Sequence, residues 1–175
     1  MMKKTFFVLF VALCMTLPLM AEKSLIGKWQ SVPQTAGMEK VVEIIHFQDE
    51  SHLELSFVTD KNIPHIVQIV STISIDGTYQ MYGPMLFVKL KQPSVRVTVD
   101  KLELSETYVK SLPSGIGMDE AKKIVHEQVL EQSKLMFIGQ NELSMIYVAH
   151  DDADIISFII GDEQNAKEIE FHRVK

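Results

Sequence analysis

Three stretches of this sequence bring together residue types that can hold a metal ion or move a proton. His126-Glu127-Gln128-Val129-Leu130 falls one residue short of the helical zinc-protease pattern, which needs two histidines four apart with a glutamate after the first. Leu130 stands where the second histidine belongs, and catalytic zinc takes three protein ligands, so His126 reads as an ordinary exposed helix residue. His150, Asp151, Asp152 and Asp154 crowd one loop and could capture calcium or zinc. A calcium loop needs a glycine at its sixth position, however, and from Ile155 the chain is apolar, so a solvated hairpin tip is the simpler reading. His46, His52 and Glu54 lie on one side of two successive segments, where cross-strand polar pairing competes with weak surface binding of a metal.

Nucleophilic chemistry has even less support. Ser114-Gly115-Ile116-Gly117 is not a nucleophile elbow, since neither a preceding strand nor an assignable base accompanies it. Among the acids Glu43 stands apart, because alternation puts it on the same face as Val41, Ile45 and Phe47. Either it meets water at the rim of the core that this face lines, or it is a buried acid with a raised pKa that fixes a ligand's polar group. No catalytic constellation emerges, so the expectation is a protein that is not an enzyme and carries no metal and no cofactor.

The elements that must position such residues are mostly strands, because short apolar/polar alternations separated by turn residues fill the chain. Ile45 and Phe47 share a face, as do Leu53, Leu55 and Phe57. A short loop at Asp49-Glu50-Ser51 then sets Phe47 against Leu53, Ile45 against Leu55 and His46 against Glu54. From Val67 the odd positions through Ile69, Ser71, Ile73, Ile75, Gly77, Tyr79 and Met81 describe one long strand, with Gly77 read as a bend or bulge. Gly83-Pro84 turns the chain, pairing Met81 with Leu86 and Tyr79 with Val88. A further hairpin at Lys91 to Ser94 is expected to set Leu90 against Val95 and Val88 against Val97.

The period changes once. Residues 118–132 carry Ala121, Ile124, Val125 and Val129 on one helical stripe, with Asp119 and Glu120 in the first turn. Its polar face mixes Glu127 and Glu131 with Lys122 and Lys123, which fits a helix packed on the strands better than one lying on anionic lipid. Strands resume over 135–138, 143–150, 154–160 and 168–174. The expected fold is therefore all-β: a closed or nearly closed antiparallel up-and-down barrel of about eight to ten strands, with one amphipathic helix inserted before the last of them.

Residues 1–21 read as an export signal, with Lys3 and Lys4 ahead of the apolar run Phe6 to Leu17, a break at Pro18, and cleavage after Ala21. Lipid attachment at Cys14 is disfavoured by the bulk of Leu13. Residues 22–175 then form one domain, periplasmic or secreted, not inserted in the membrane once the signal is removed. A chain of that length buries roughly 68–70% of its unfolded surface without staples. Cys14 is the one cysteine and leaves with the signal, so disulfides and thiol chemistry are excluded. Loss of Lys3 and Lys4 takes the net charge from −6 to −8, which with no basic stripe argues against nucleic acid.

Gly27-Lys28-Trp29, Gly77-Thr78-Tyr79 and Phe171-His172-Arg173 resemble motifs of the calycin superfamily, particularly the small exported lipocalin-like proteins of Bacteroidetes. The resemblance implies a barrel shut at one end by Trp29, with Arg173 from a late strand over the indole as a structural plug. It also implies a binding protein that captures a small, largely apolar molecule inside the barrel without chemistry. The inward residues expected to line that ligand are Ile45, Phe47, Leu55, Phe57, Ile73, Tyr79, Tyr147 and Glu43, with the loops at 33–40 and 60–65 as its entrance. The alternative is a filled barrel whose outer surface, around Met85 and Phe87, contacts or inhibits an envelope protein.

Overall fold

The structure, a computed structural model, describes residues 24–113, 115–161 and 165–175; the expected signal at 1–21, with Cys14, and Ser114 lie outside the described residues. The strands are β1 (Gly27–Ser31), β2 (Gln34–Ala36), β3 (Glu39–Phe47), β4 (His52–Ile63), β5 (Val67–Tyr82), β6 (Met85–Leu90), β7 (Arg96–Leu104), β8 (Glu142–Ala149), β9 (Ile155–Ile160) and β10 (Lys167–Arg173). Two helices, α1 (Glu106–Ser111) and α2 (Met118–Leu135), lie between β7 and β8.

Pairing runs β1-β10-β9-β8-β6-β5-β4-β3 and returns to β1, all antiparallel, which closes an eight-stranded barrel. The remaining two strands are continuations: β2 carries on along β3 where β1 leaves it, and β7 carries on along β5 beyond β6. The registers follow the apolar alternation, with Phe47 opposite Leu53, Ile45 opposite Leu55, Met81 opposite Leu86 and Tyr79 opposite Val88. Any slip by one residue would turn these apolar sets to water. Trp29, Phe47, Leu53, Ile75, Leu86, Ile156, Phe158 and Phe171 fill the interior and are essentially inaccessible to solvent. Each such side chain stabilises the fold by roughly 1.5–3 kcal/mol.

The stretch after β6 departs from the expected hairpin. Gln92–Ser94 form a single 3-10 turn, and β7 leaves it along the same edge of β5, with Ile73 opposite Val97. Ser94 makes the jog possible: its hydroxyl accepts the Asp76 N–H at 2.8 Å and donates to the Lys91 carbonyl at 2.7 Å. Arg96 then anchors the resumed strand through Asp76 (2.9 Å) and Glu54 (2.6 Å) on the outer wall.

Gly77 is neither bend nor bulge, for its register with Leu53 and Leu90 is unbroken and the irregularity in β5 lies between Val70 and Ser71. What Gly77 allows is close approach, since a Cβ there would stand 2.9 Å from the Lys89 carbonyl oxygen.

The expected strand at 135–138 is instead the end of α2 and the turn after it. Phe137 drops from this turn into the core and meets Phe57 with ring centroids 5.7 Å apart. The α2 face toward β7 carries Ala121, Val125 and Val129, whereas Ile124 faces water. Helix α1 was not expected; Ser105 caps it by accepting the Tyr108 N–H at 3.1 Å. Among the described residues, no helix is long and apolar enough to cross a membrane.

Candidate ligand site

The barrel closes where β1 begins, and the side chains there form a linked set. The Trp29 indole is buried, and its N–H donates to the Leu25 carbonyl at 2.7 Å, which satisfies the ring's one polar group. Arg173 lies opposite Trp29 across the β1–β10 pairing, its Cζ 4.2 Å from the ring centroid. The same guanidinium donates to the Ile26 carbonyl at 3.0 Å and the Ser24 carbonyl at 3.1 Å. Gly27 is required beside it: its φ is +127°, and a Cβ would sit 2.9 Å from Arg173 Nη1. Arg173 therefore straps residues 24–26 across the end of the barrel.

A hollow of about 440 Å³ opens beside that strap, lined by Ser24, Leu25, Ile26, Glu50, Tyr79, Met81 and Tyr147. Glu50, Tyr79 and Met81 also border a second hollow of about 790 Å³, which continues along Gln80, Tyr82, Phe87 and Lys89. Tyr79 fixes the loop between β3 and β4. Its hydroxyl donates to the Asp49 carbonyl at 2.8 Å, and its N–H donates to the Ser51 carbonyl at 2.8 Å. The Asp49 carboxylate holds the same loop from the other side, accepting the N–H groups of Ser51 (2.7 Å) and His52 (2.8 Å). These bonds pull its pKa down to about 2.

Burial raises the pKa of both phenols; for Tyr79 the charges of Asp49 and Glu50 add to the effect. Both stay protonated donors at ordinary pH. Tyr147, its ring packed against Phe158, makes no hydroxyl hydrogen bond within the described residues, which leaves that donor available to an occupant of the hollow.

The residues expected to line a ligand thus fall into separate groups. Tyr79 and Tyr147 meet at the hollow. Ile45, Phe47, Leu55 and Ile73 are no more than 5% exposed and pack on one another in the core. Phe57 lies against Phe137. Glu43 faces inward opposite Phe57, farther along the barrel, and burial raises its pKa against the opposing pull of Lys167. None of these six borders either hollow at the Trp29 end. Between the turns expected as an entrance lies a shallower hollow of about 360 Å³, lined by Thr35, Met38, Lys40, Asp60 and Pro64 among others. Sequence reasoning passed over Leu25, Ile26, Glu50 and Met81. Met81 shares the inward parity of Tyr79, a usable signal, whereas the aim of Glu50 depends on the loop.

The candidate metal clusters are engaged otherwise. Asp154 pairs with Arg173 (3.6 Å) and Lys175 (3.2 Å), Asp152 accepts the Asp154 N–H, and His150 meets the Ser157 hydroxyl at 2.8 Å. Glu54 is bound by Arg96, and His52 by Asp49. No group of three or more potential metal ligands occurs among the described residues. Neither a protein-family model nor a curated protein matches this sequence, so a functional reading has to come from the barrel's own geometry.

Proposed function

We propose that the protein captures a small, largely apolar molecule in the hollow beside Trp29 and performs no chemistry on it. The observation that carries this reading is a hollow of about 440 Å³ lined by Leu25, Ile26 and Met81 together with Tyr147, whose hydroxyl makes no hydrogen bond within the described residues. An apolar wall with a few fixed donors is the usual make-up of a small-molecule site, and the volume falls within the roughly 300–1,000 Å³ typical of one. The eight-stranded closed barrel is compatible with a lipocalin-like protein, and the Gly27-Lys28-Trp29 and Arg173 arrangement supports that finer assignment. The ligand position differs from a deep calyx because aromatic side chains occupy the middle of this barrel. In an exported protein the ligand would come from the envelope or its surroundings.

Titrating residues 22–175 with the neutral apolar dye N-phenyl-1-naphthylamine tests the proposal. Saturable one-to-one enhancement that weakens in Tyr147→Ala is expected, and its absence removes the reading. Native mass spectrometry of protein purified from its own host would then identify a carried molecule.

A second reading has its own observation. Tyr82, Phe87 and Ile146 are 63%, 44% and 40% exposed on the outer wall, beside Met85. Such a patch on a filled barrel fits contact with an envelope protein. Ile146→Lys, at an exposed residue that borders neither hollow, would abolish that contact and spare dye binding.

A further inference from the structure

Two residues that line the hollow, Tyr79 and Met81, lie on the part of β5 that runs past the end of its pairing with β4. In the β5–β6 hairpin the hydrogen bonds alternate along the strand, and the bond from Lys91 N–H to the Asp76 carbonyl (2.8 Å) fixes their phase. Asp76, Thr78, Gln80 and Tyr82 therefore turn their backbone groups toward the second arm, while Gly77, Tyr79 and Met81 turn theirs to the opposite edge. Pairing with β4 ends at Thr78, and one residue on, Tyr79 N–H is taken by the Ser51 carbonyl. Beyond that point no described residue accepts from Met81 N–H or donates to the carbonyls of Tyr79 and Met81. The edge thus presents acceptor, donor, acceptor in sequence, at the residues that line the hollow.

A hydrocarbon pressed against this edge would strip water from three strong backbone groups and return nothing to them, which opposes its binding. A molecule carrying its own N–H and C=O one residue apart would satisfy them, as an added strand does. Glu50 is the one charged residue among the seven lining the hollow. A ligand carboxylate would meet its charge unfavourably, whereas a neutral or cationic end would not.

We infer that the ligand is a short, extended peptide-like amide, an apolar dipeptide or N-acyl amino-acid amide with a neutral or cationic end, bound as an added strand on β5. The inference rests on the capture reading above and names its ligand class. Apolar side chains would enter among Leu25, Ile26, Met81 and Tyr147, while the ligand's amide pairs with Met81.

The test displaces N-phenyl-1-naphthylamine from residues 22–175 with three probes: acetyl-Leu-Leu-methylamide, its fully N-methylated analogue, and decanoate. The parent amide should displace at least about tenfold more strongly than the N-methylated analogue, the effect of losing about one hydrogen bond, and more strongly than decanoate. Hydrogen exchange at the Met81 amide should slow in its presence. Met81→Pro removes a donor that the β5–β6 ladder does not use, and should erase the preference for the parent over its N-methylated form. Equal displacement by the two amides, preference for decanoate, or an unprotected Met81 amide overturns the inference while leaving capture standing. Failure of the dye itself to bind removes capture as well. The wild-type probe ratio and exchange readout decide the matter even if Met81→Pro does not fold.

Discussion

Trp29 and Arg173 do two jobs at one point, sealing the barrel end and strapping the segment that walls the hollow. Trp29→Ala would remove a buried indole and its bond to Leu25, a loss of about 3–5 kcal/mol readable as a lowered urea midpoint. Arg173→Lys should cost less, about 1–2 kcal/mol, because an ammonium cannot cover the indole while reaching both the Ser24 and Ile26 carbonyls. If Arg173→Lys matched Trp29→Ala, the strap rather than the indole would dominate the seal. Asp49 links the same end to pH. Its depressed pKa of about 2, against 3.8 ordinarily, means that the ionised form favours the folded loop. That contribution is present above pH 4 and is lost as pH falls through about 2. Dye binding should therefore weaken between pH 4 and 2, and Asp49→Asn should flatten that dependence; an unchanged profile would disconnect the loop from the hollow.

The long hairpin shows what alternation can and cannot specify. Leu86, Val88, Leu90 and Val97 lie inward whether the chain reverses at Lys91 or jogs and continues, so their pattern fits both paths. Side-chain hydrogen bonds decided it, the Ser94 hydroxyl accepting the Asp76 N–H and Arg96 donating to the Asp76 carboxylate, and period alone does not encode those. The packing that this continuation demands falls on Gly77. Gly77→Ala should cost about 1–3 kcal/mol, because the added methyl meets backbone at Lys89 rather than a side chain that can move; a neutral result would mean that β6 can shift. Phe137 lies past Leu135, where α2 ends, so the helical stripe of Ala121, Val125 and Val129 does not extend to it. The apolar run Leu135 to Ile138 looked like a strand, and tertiary burial of one member settled the matter. Phe137→Ala should cost about 3–5 kcal/mol and leave a space beside Phe57, detectable as a second dye site.

Across the whole molecule, the barrel separates a tyrosine-lined hollow at one end from the half-buried Glu43 farther along, with a packed aromatic core between them. The registers of the β3–β4 and β5–β6 hairpins could be read from sequence because burial enforces alternation there, whereas the place of β7 along β5 could not. The location of free space could not, because it depends on how Phe47, Phe158 and Phe171 fill the middle and on how far the β5–β6 hairpin overshoots the floor. Glu43 offers a global readout of this arrangement. Burial raises its pKa above 4.5, and Lys167 opposes the shift without cancelling it, so the folded state holds the proton more tightly than the unfolded chain. Its favourable contribution is complete below about pH 4.5 and disappears as pH rises through the folded value, leaving a desolvated carboxylate at neutral pH. Glu43→Gln should therefore gain stability relative to wild type as pH rises from 4 to 7, measured as a widening difference between urea midpoints. Lys167→Met should steepen the wild-type decline, because it removes the cation that offsets burial. Parallel midpoints for Glu43→Gln and wild type across that range would place the carboxylate in water at the barrel mouth, making burial irrelevant to its charge.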